Sequence, residues 1–528
     1  MPSKTIKEPK EEAENFHWTK AVIEKIKKEH GNKKSYVCAS GISPSGYVHI
    51  GHFREILTSE FVAKALRKEG KQVRFIYSWD NYDRFRKVPL DIPKEFEKYI
   101  GLPISEVPDP WKCHKSFAEH FEKTAETDVK QAGIEVEFID QSKMYKSCKY
   151  ADDIKKALLN KAAIKKILNK YRKEPLENDW YPTTIYCEKC NKDNTKILDY
   201  DNNYTLSYEC TCGYSGKINF KKVGNVKLLW RVDWPMRWHY EQVSFEPGGK
   251  DHSSPGSSYE TGKQILPAIW GNIPPTYQVY EWIGIKGLGG KMSSSKGKLI
   301  LPRDAMEIYE PEIIKWLFAG TRPNREFSIG FDLDVLKIYE DFDKCESIYY
   351  KETKLENKKE YEKQKDIYEL SVINLEKKKP ERPPFRHLVS LVQMYEGDLK
   401  KIEELYPKNK YALQRAKCAL NWINNYAPDQ VKFSVHKEVT KEILNKLTVL
   451  EKQSIQELSS YLEKNIKKIK EEELFNKFYE ICTKYKINNQ EFFKAVYLIL
   501  IGKERGPRLA GFLLLLNERA IKLLKQVK

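Results

Sequence analysis

The stretch SYVCASGISPSGYVHIGHFREILTSEF, residues 35–61, decides the fold class of this 528-residue chain. Its first six residues alternate polar and apolar side chains as a strand does, and the turn-forming letters GISPSG follow. A helical pattern then places apolar residues three or four positions apart and closes near Gly70. The next run, VRFIYSW (73–79), again resembles a strand. The order strand, helix, strand predicts a βαβ unit of an α/β protein.

Composition narrows the class of protein. The length allows several domains at about one per 150 residues, and a 40% hydrophobic share with 12% aromatics excludes a mainly disordered chain. No apolar run reaches the roughly 18 to 20 residues that a membrane-spanning helix needs, so we expect no membrane partner. The amino terminus is charged and lacks the apolar segment of a signal peptide, so we expect a cytoplasmic protein.

The charge balance suggests a partner. There are 93 Lys and Arg residues against 75 Asp and Glu, a formal charge of +18. Such a surplus of positive charge favours a polyanionic binding partner, of which nucleic acid is the first candidate, although a need for solubility explains the charge equally well. Residues 154–173 concentrate eight basic side chains over an apolar stripe and predict one basic helix, whose face is either solvated or in contact with RNA. Beyond residue 301 the pattern turns helical, and it stays so to the carboxyl terminus.

Two segments have the character of a phosphate site. His49 and His52 flank Gly51 where the first strand gives way to the first helix, and a helix amino terminus attracts phosphate. The Gly-rich stretch GIKGLGGKMSSSKG (284–297) carries Lys291 and Lys296 around three serines, a set that suits a polyphosphate. Its spacing excludes a Walker loop. Each segment taken alone is equally compatible with a structural role.

Ten cysteines divide into two groups. Cys187 and Cys190 form a CxxC pair, and Cys210 and Cys212 form a CxC pair that 19 intervening residues separate from it. Four thiolates at this spacing predict a closed, structural zinc site, with free thiols as the alternative. The others show no metal spacing, and we expect small buried hydrophobes at Cys38, Cys113, Cys148, Cys345, Cys418 and Cys482.

The motifs together resemble a known family. PSGYVHIGH and KMSSSKG look like the two signatures of class I aminoacyl-tRNA synthetases, with Ser294 in place of the second lysine and Lys296 two positions later. Together with WDNYDRFRKVP (79–89), WRVDWPMRW (230–238) and GKDHSSPGSSYETG (249–262), they resemble the archaeal-type class I lysyl-tRNA synthetases. The resemblance covers at least residues 36–342, and residues 500–516 resemble the family's carboxyl-terminal domain more faintly.

The resemblance implies a fold: a class I synthetase Rossmann-type parallel sheet with a zinc-binding insertion, and an all-α carboxyl-terminal half. The expected segments are 1–20, a charged extension; 21–150, the first half of the nucleotide-binding fold; 151–225, the basic helix and zinc-knuckle insertion; 226–300, the second half with the KMSKS-type loop; 301–384, a helical linker domain; and 385–528, a helical anticodon-binding domain.

It also implies an activity: a lysine–tRNA ligase that activates L-lysine with ATP and transfers it to tRNA(Lys), expected as a monomer. The rivals are a class I synthetase for another amino acid, arginine or glutamate, a tRNA-binding paralogue without catalysis, and a nucleotidyltransferase without an RNA substrate. Family members are expected to need tRNA even for the activation step. Mg²⁺ arrives with ATP. Candidates for reading the anticodon are Arg415, Trp422, Tyr426 and Arg508.

The resemblance assigns site residues in three groups. The expected catalytic residues are His49, His52, Lys291 and Lys296. The expected ATP-binding residues are Gly51, Gly249, Asp251, Met292, Ser293 and Ser295. The expected lysine-binding residues are Gly41, Ser43, Asp80, Trp230, His252 and Tyr280. By residue type, Asp80 and Trp230 meet the demand of an ammonium on four methylenes for one acidic group and aromatic walls.

Overall fold

The computed structural model describes residues 16–89, 92–286 and 299–528. The chain divides into two compact units. The first takes in the chain up to Met306, together with Pro311–Ile329 and Cys345–Leu375. The second comprises Glu307–Glu310, Gly330–Lys344 and Glu376–Lys528.

The first part of the chain contains both helices and strands. Up to residue 375 the elements are α1 (Trp18–His30), β1 (Ser35–Ile42), α2 (Phe53–Lys68), β2 (Gln72–Trp79), α3 (Phe117–Gln131), β3 (Glu137–Asp140), α4 (Gln141–Lys146), α5 (Ala151–Leu159), α6 (Lys161–Asn169), β4 (Thr183–Ile185), β5 (Thr195–Tyr200), β6 (Thr205–Cys210), β7 (Ser215–Asn219), β8 (Val226–Leu228), α7 (Trp230–Glu241), β9 (Phe245–Gly249), α8 (Ser258–Ile269), β10 (Thr276–Tyr280), β11 (Ile283–Ile285), α9 (Pro302–Met306), α10 (Pro311–Ala319), β12 (Phe327–Ile329), α11 (Asp334–Tyr349) and α12 (Lys358–Ser371). Short 3-10 turns lie at Lys94–Tyr99, Ile104–Glu106 and Lys250–His252.

A five-stranded sheet in the order β10-β9-β1-β2-β3 forms the centre of the first unit, and every neighbouring pair is parallel. The predicted βαβ unit is β1-α2-β2. The chain moves outward from β1 in one direction through β2 and β3, and in the other through β9 and β10. The strand order therefore reverses at β1, and the crevice at the carboxyl ends of β1 and β9 is where such sheets bind ligands.

The insertion between β3 and α7 contains small antiparallel sheets. Strands β4 and β8 pair with each other, and β5, β6 and β7 form a three-stranded sheet. Buried Ile185, Leu206 and Tyr208 belong to the hydrophobic core that also holds Ile76 of the central sheet. Cys187 and Cys190 lie in the turn between β4 and β5, Cys210 ends β6, and Cys212 lies in the turn after it.

Two local predictions are wrong. The basic stretch 154–173 forms two helices, α5 and α6, because Asn160 leaves the helical conformation and its side-chain amide donates to the Lys156 carbonyl. The stretch YQVYEWI (277–283), which resembles a single strand in sequence, does not form one. The Glu281 N–H donates to the Pro323 carbonyl, so the chain leaves the central sheet and β11 pairs with β12 instead.

The second unit is helical from residue 376 onward. Its helices there are α13 (Phe385–Met394), α14 (Leu399–Leu405), α15 (Lys410–Asn425), α16 (Lys441–Lys446), α17 (Val449–Asn465), α18 (Glu471–Tyr485), α19 (Asn489–Ile501), α20 (Leu509–Leu516) and α21 (Glu518–Leu524). The predicted parallel α/β sheet and all-helical carboxyl-terminal half are thus confirmed. None of the helices in the described ranges combines the length and apolar character that crossing a bilayer requires.

Two of the four anticodon candidates are buried within this unit. Arg415 is 0% exposed and pairs through Nε with Glu310 Oε2 at 2.7 Å and through Nη2 with Asp343 Oδ1 at 2.9 Å. Trp422 is also 0% exposed, and its Nε1 donates to the Phe331 carbonyl at 2.9 Å. Neither side chain is therefore available to RNA, which corrects that expectation. Arg508 and Tyr426 are exposed.

Candidate active site and metal centres

The crevice at the carboxyl ends of the strands contains a pocket lined by four of the predicted lysine-binding residues: Gly41, Asp80, Trp230 and His252. Gly41 lies near the end of β1, and a Cβ there would lie 2.8 Å from the Ser78 carbonyl oxygen. Glycine is therefore the residue that allows β1 and β2 to approach closely at the base of the pocket.

Asp80 forms an ion pair with an arginine that the sequence analysis did not identify. Arg237, on α7, donates from Nη1 to Asp80 Oδ1 at 2.5 Å and to Ser78 Oγ at 2.8 Å. Burial raises the pKa of Asp80, and Arg237 opposes that rise. Asp80 thus lines the pocket as one half of a buried ion pair. No local pattern predicts this pair, because its two residues are 157 positions apart in the chain.

Ser43 connects to the same charges through a second cation. Its hydroxyl donates to Asp83 Oδ2 at 3.1 Å, and Lys227 Nζ lies 3.0 Å from Asp83 Oδ1. Lys227 also lies 3.3 Å from Asp233 Oδ2, and Arg237 Nε lies 3.4 Å from the same oxygen. The network alternates three acids with two bases, so each buried charge lies beside an opposite one, and the network holds Ser43 in place.

Two further carboxylates face the pocket, and the sequence analysis missed both. Glu55 accepts from Ser40 Oγ at 2.9 Å, the Gly41 N–H at 3.1 Å and the Tyr280 hydroxyl at 2.7 Å. Glu246 accepts from the indole N–H of Trp234 at 3.1 Å and from that of Trp238. Within the described ranges, neither glutamate forms an ion pair. An acid inside the buried strand FEPGG was the available signal for Glu246.

Burial dominates the electrostatics of both glutamates. It raises the pKa of Glu55, against the hydrogen bonds from Tyr280 and Gly41. It raises the pKa of Glu246 to about 7, against the two indole donors. A carboxylate in this state gains most from a ligand that brings positive charge into the pocket.

Aromatic rings form the walls of the pocket. Trp230 and Trp234 stack with ring centroids 5.2 Å apart and planes 15° apart. Trp230 Nε1 donates to Ser258 Oγ at 3.1 Å, and the Arg237 guanidinium carbon lies 5.3 Å from the Trp230 ring centroid. His252 meets the Trp234 ring edge to face at 5.7 Å. Such walls suit the methylenes of a cationic side chain.

The two signature histidines stack on each other at the start of α2. Their ring centroids are 3.7 Å apart and their planes 20° apart. Both precede the helix, with His52 at its N-cap position, so the turn rather than a helix face brings them together. The Ile50 N–H donates to the Ile300 carbonyl at 2.9 Å, which places the chain after the KMSSSKG motif beside the histidines.

The predicted nucleotide-site residues other than the histidines fall into two groups. Three lie in the described ranges: Gly51 stands between the histidines, Gly249 is buried at the end of β9, and Asp251 is exposed in the turn after it. The others lie outside the described ranges: Lys291, Met292, Ser293, Ser295 and Lys296.

The four predicted zinc ligands come together. The Sγ atoms of Cys187 and Cys212 are 3.8 Å apart, those of Cys190 and Cys210 are 3.6 Å apart, and all four lie within 4.8 Å of one another. A tetrahedron with Zn–S bonds of about 2.3 Å has edges of about 3.8 Å. Burial raises the pKa of the Cys187 thiol, but hydrogen bonds from backbone N–H groups and from the thiols of Cys210 and Cys212 together outweigh burial and lower that pKa to about 7. The donor set fits zinc.

A second metal-type cluster was missed by the sequence analysis. The ligand atoms of Asp109, Cys113, His114 and His120 lie within 4.8 Å of one another. Cys113 is exposed, so its expected role as a buried hydrophobe is wrong, and Cys148 is also partly exposed. The other four cysteines outside the zinc-type cluster are buried as expected. The sequence pattern that indicates this cluster is DxxxCHxxxxxH. It contains one cysteine only, so a search for cysteine pairs does not find it.

Backbone N–H groups orient the Asp109 carboxylate in this cluster. Its Oδ2 accepts from the N–H groups of Cys113 at 2.9 Å and His114 at 2.8 Å, and its Oδ1 from that of Trp111 at 3.1 Å. Burial alone would raise the pKa of Asp109, but the His114 and Trp111 N–H groups hold it below its ordinary value. One thiol, two imidazoles and one ionised carboxylate form a donor set that Zn²⁺ accepts.

Comparison with known proteins identifies relatives along nearly the whole chain. Residues 16–374 match the family model described as tRNA synthetases class I (K). A lysine–tRNA ligase of Borreliella burgdorferi is 46% identical over 509 residues, which cover 94% of this chain and 96% of that protein. One from Thermococcus kodakarensis is 44% identical over 521 residues, covering 96% and 98%.

Among solved structures, a glutamate–tRNA ligase of Elizabethkingia meningosepticum aligns with 94% of this chain and 100% of its own. The sequence identity is 13% and the TM-score 0.44. The assignment of this chain therefore rests on the family model and the sequence relatives.

Proposed function

The chain belongs to the family of tRNA synthetases class I (K) and is a lysine–tRNA ligase, and from this premise we propose which of its residues perform each step. Ligases of this kind activate the amino acid with ATP and then esterify tRNA. The charge of the pocket is the observation that carries the proposal.

The pocket complements lysine in charge. Asp80, Glu55 and Glu246 bring three carboxylates, and Arg237 brings one guanidinium, a surplus of two negative charges when all are ionised. Lysine has two ammonium groups. Because Arg237 already occupies Asp80, the ammonium groups are best received by Glu55 and Glu246, with Trp230 against the methylenes. A glutamate substrate needs the opposite charge, so this pocket disfavours it.

Adenylation takes place beside the stacked histidines. The lysine carboxylate attacks the α-phosphate of ATP, and pyrophosphate leaves with its Mg²⁺. His49 and His52 face the phosphates at the amino terminus of α2, where the helix dipole favours negative charge. The bond between Ile50 and Ile300 supports a role at the same place for Lys291 and Lys296, which act on the charge of the departing pyrophosphate.

A kinetic test separates this role of the lysines from ground-state binding. Lys291→Ala and Lys296→Ala are each expected to lower the adenylation kcat on the order of a hundredfold, because they remove contacts made to developing charge. The KM values for lysine and ATP should change little. Single-turnover kinetics measures this, and a raised KM with an intact kcat would refute the assignment.

The outer parts of the chain contribute binding. Cys187, Cys190, Cys210 and Cys212 hold a structural Zn²⁺ that fixes the insertion, which approaches the acceptor end of tRNA. The carboxyl-terminal helices read the anticodon, with Tyr426 and Arg508 as exposed candidates. The identity of the tRNA as tRNA(Lys), the monomeric state, the cytoplasmic location and the six predicted segments stay predictions.

The direct experiment charges total tRNA with each amino acid in a separate reaction. We expect esterification with lysine alone. Preferential charging of arginine would contradict the amino-acid assignment. Tight tRNA binding with no charging of any amino acid would identify a binding paralogue, for which the intact His49 and His52 have no use.

A further inference from the structure

Arg54, the second residue of α2, is a buried cation that the proposed function does not use. The residue is 2% exposed. Burial alone lowers its pKa to about 10, which leaves it charged at neutral pH, and no carboxylate in the part of the chain that the structure describes forms an ion pair with it. A buried charge without an opposite charge is costly. The contacts that Arg54 makes therefore indicate its role.

Two backbone carbonyls of one turn accept hydrogen bonds from the Arg54 guanidinium. Its Nη2 donates to the Arg322 carbonyl, and to the Arg325 carbonyl at 3.3 Å. We call residues 322–325 the carbonyl turn. Two aromatic rings, with centroids 5.9 and 5.3 Å from the guanidinium carbon, also contact this cation: Phe318 and Phe327. Arg54 thus joins the first turn of α2 to the carbonyl turn.

The carbonyl turn is bonded to the chain directly after β10. The Pro323 carbonyl accepts from the Glu281 N–H at 2.8 Å. The preceding residue, Tyr280, ends β10, and its hydroxyl donates to Glu55 Oε2 at 2.7 Å. Glu55 follows Arg54 on α2, so the contacts run from α2 to the carbonyl turn, from there to β10, and back to α2. The closed path fixes the distance between the Tyr280 hydroxyl and Glu55.

We propose that Arg54 is a positioning residue for lysine binding, because it holds the carbonyl turn against α2 and thereby keeps the Tyr280 hydroxyl on Glu55. Without the guanidinium the two carbonyls lose their donor, and a turn with unpaired carbonyls rearranges toward water. The bond to Glu281 then displaces the end of β10. The inference rests on the proposed role of Glu55 as the acceptor of a lysine ammonium. It places the effect of Arg54 on lysine affinity and not on the chemical step.

Arg54→Met tests the contact, because it removes both hydrogen bonds and keeps much of the side-chain volume. It also removes a buried charge, so the variant is expected to fold. We expect the Kd for lysine to rise about tenfold, with the KM for ATP and kcat unchanged. Equilibrium dialysis with labelled lysine measures the Kd, and steady-state charging kinetics the rest. Equal lysine Kd values in Arg54→Met and the wild type would overturn the proposal.

Arg67→Met is the matched control. Arg67 is an exposed arginine at the other end of α2, and its Nη2 also donates to a backbone carbonyl, that of Val73, at 3.0 Å. This variant should bind lysine as the wild type does. A rise in Kd as large as that of Arg54→Met would show that loss of any arginine of α2 weakens the pocket, and would overturn the proposal.

A double-mutant cycle tests whether Arg54 acts through Tyr280. Tyr280→Phe removes the hydroxyl and keeps the ring, so it should raise the lysine Kd by itself. If the path runs through this hydroxyl, adding Arg54→Met to Tyr280→Phe should weaken binding no further. Effects that multiply would show that the two residues act independently, and the proposal would fall.

Arg54→Lys replaces Arg54→Met in both tests if the methionine variant does not fold. Lysine keeps the charge but lacks the planar fork of arginine, so it serves the two carbonyls less well. We expect a smaller rise in the lysine Kd, absent in the Tyr280→Phe background. An unchanged Kd in Arg54→Lys, or a rise that persists beside Tyr280→Phe, would overturn the proposal.

The outcomes separate this inference from the proposed function. Weaker lysine binding in Tyr280→Phe but not in Arg54→Met refutes the positioning role and leaves Glu55 as the ammonium acceptor. Unchanged binding in both variants refutes the assignment of Glu55 and the inference with it. Preferential charging of another amino acid by the wild type refutes the substrate, whatever the variants do.

Discussion

A carboxyl group that is removed from water gains little from hydrogen bonds alone compared with a cation. Glu55 accepts three hydrogen bonds and Glu246 two, yet burial still raises the pKa of both. At the residue scale, the pocket therefore contains two buried carboxyl groups without a cation beside them, and a ligand with two ammonium groups supplies the missing positive charges. Asp80 differs, because Arg237 already balances it.

Glu55→Gln tests this interpretation of the pocket. The amide keeps an oxygen for Ser40 and Gly41 but removes the charge, and a hydrogen bond to a charged group contributes about 1.5 to 3 kcal/mol. The KM for lysine should rise on the order of ten- to hundredfold, with the KM for ATP unchanged. Steady-state charging kinetics measures both, and Glu69→Gln, at the exposed end of the same helix, is the control. An unaltered lysine KM would rule Glu55 out.

Glu246 makes lysine binding depend on pH. Its pKa is raised to about 7, so below pH 7 the free pocket holds it protonated and an incoming ammonium must displace that proton. The Kd for lysine should therefore increase as the pH falls from about 8 to about 6, approaching tenfold per unit. Glu246→Gln should flatten this profile. Equilibrium dialysis with labelled lysine provides the measurement, and tighter binding at low pH would contradict the assignment.

At the scale of elements, the insertion depends on short strands and a cysteine cluster. The four thiols lie at the end of β6 or in the turns between strands of three to six residues, β4 to β8, and so small a sheet is marginally stable without a further constraint. The metal is expected to supply that constraint, because ligand binding to a site absent from the unfolded chain stabilises the folded one.

Cys190→Ala should remove one equivalent of zinc and loosen the insertion, while the central sheet stays folded. Elemental analysis measures the zinc, and limited proteolysis with mass spectrometry should place the new cleavage sites between β4 and β8. Cys148→Ala, which lies outside both clusters, should change neither result. Full zinc content in Cys190→Ala would show that these thiols do not form the site.

Sequence patterns predict what is local and periodic. The run from β1 to β2 carries its own signals, so the βαβ unit and both signature histidines follow from it. The pairing of Asp80 with Arg237 and the hydrogen bond from Tyr280 to Glu55 join distant elements, and no spacing encodes them. The break at Asn160 and the divergence of β11 are decided by single hydrogen bonds, which periodicity does not detect.

At the scale of the whole molecule, the catalytic sheet and a large helical unit share one basic chain. Binding energy from remote contacts with tRNA is available to order the site where chemistry occurs. We expect pyrophosphate exchange with lysine and ATP to be weak until the cognate tRNA is added. Radiolabelled exchange with and without tRNA, at fixed salt, measures this. Strong exchange without tRNA would refute the coupling and leave the ligase assignment intact.

The pairing of β1 with β9 in the central sheet affects how the chain folds during synthesis. Strand β1 pairs with β9 through Cys38 and Phe245, and Glu55 receives its third hydrogen bond only from Tyr280. The segment β1-α2-β2 leaves the ribosome long before either partner. During synthesis one edge of β1 stays open until β9 emerges, and closing so long a loop is slow. The nascent chain thus passes through a stage with an unpaired apolar strand, and its yield is expected to depend on chaperones that cover such edges.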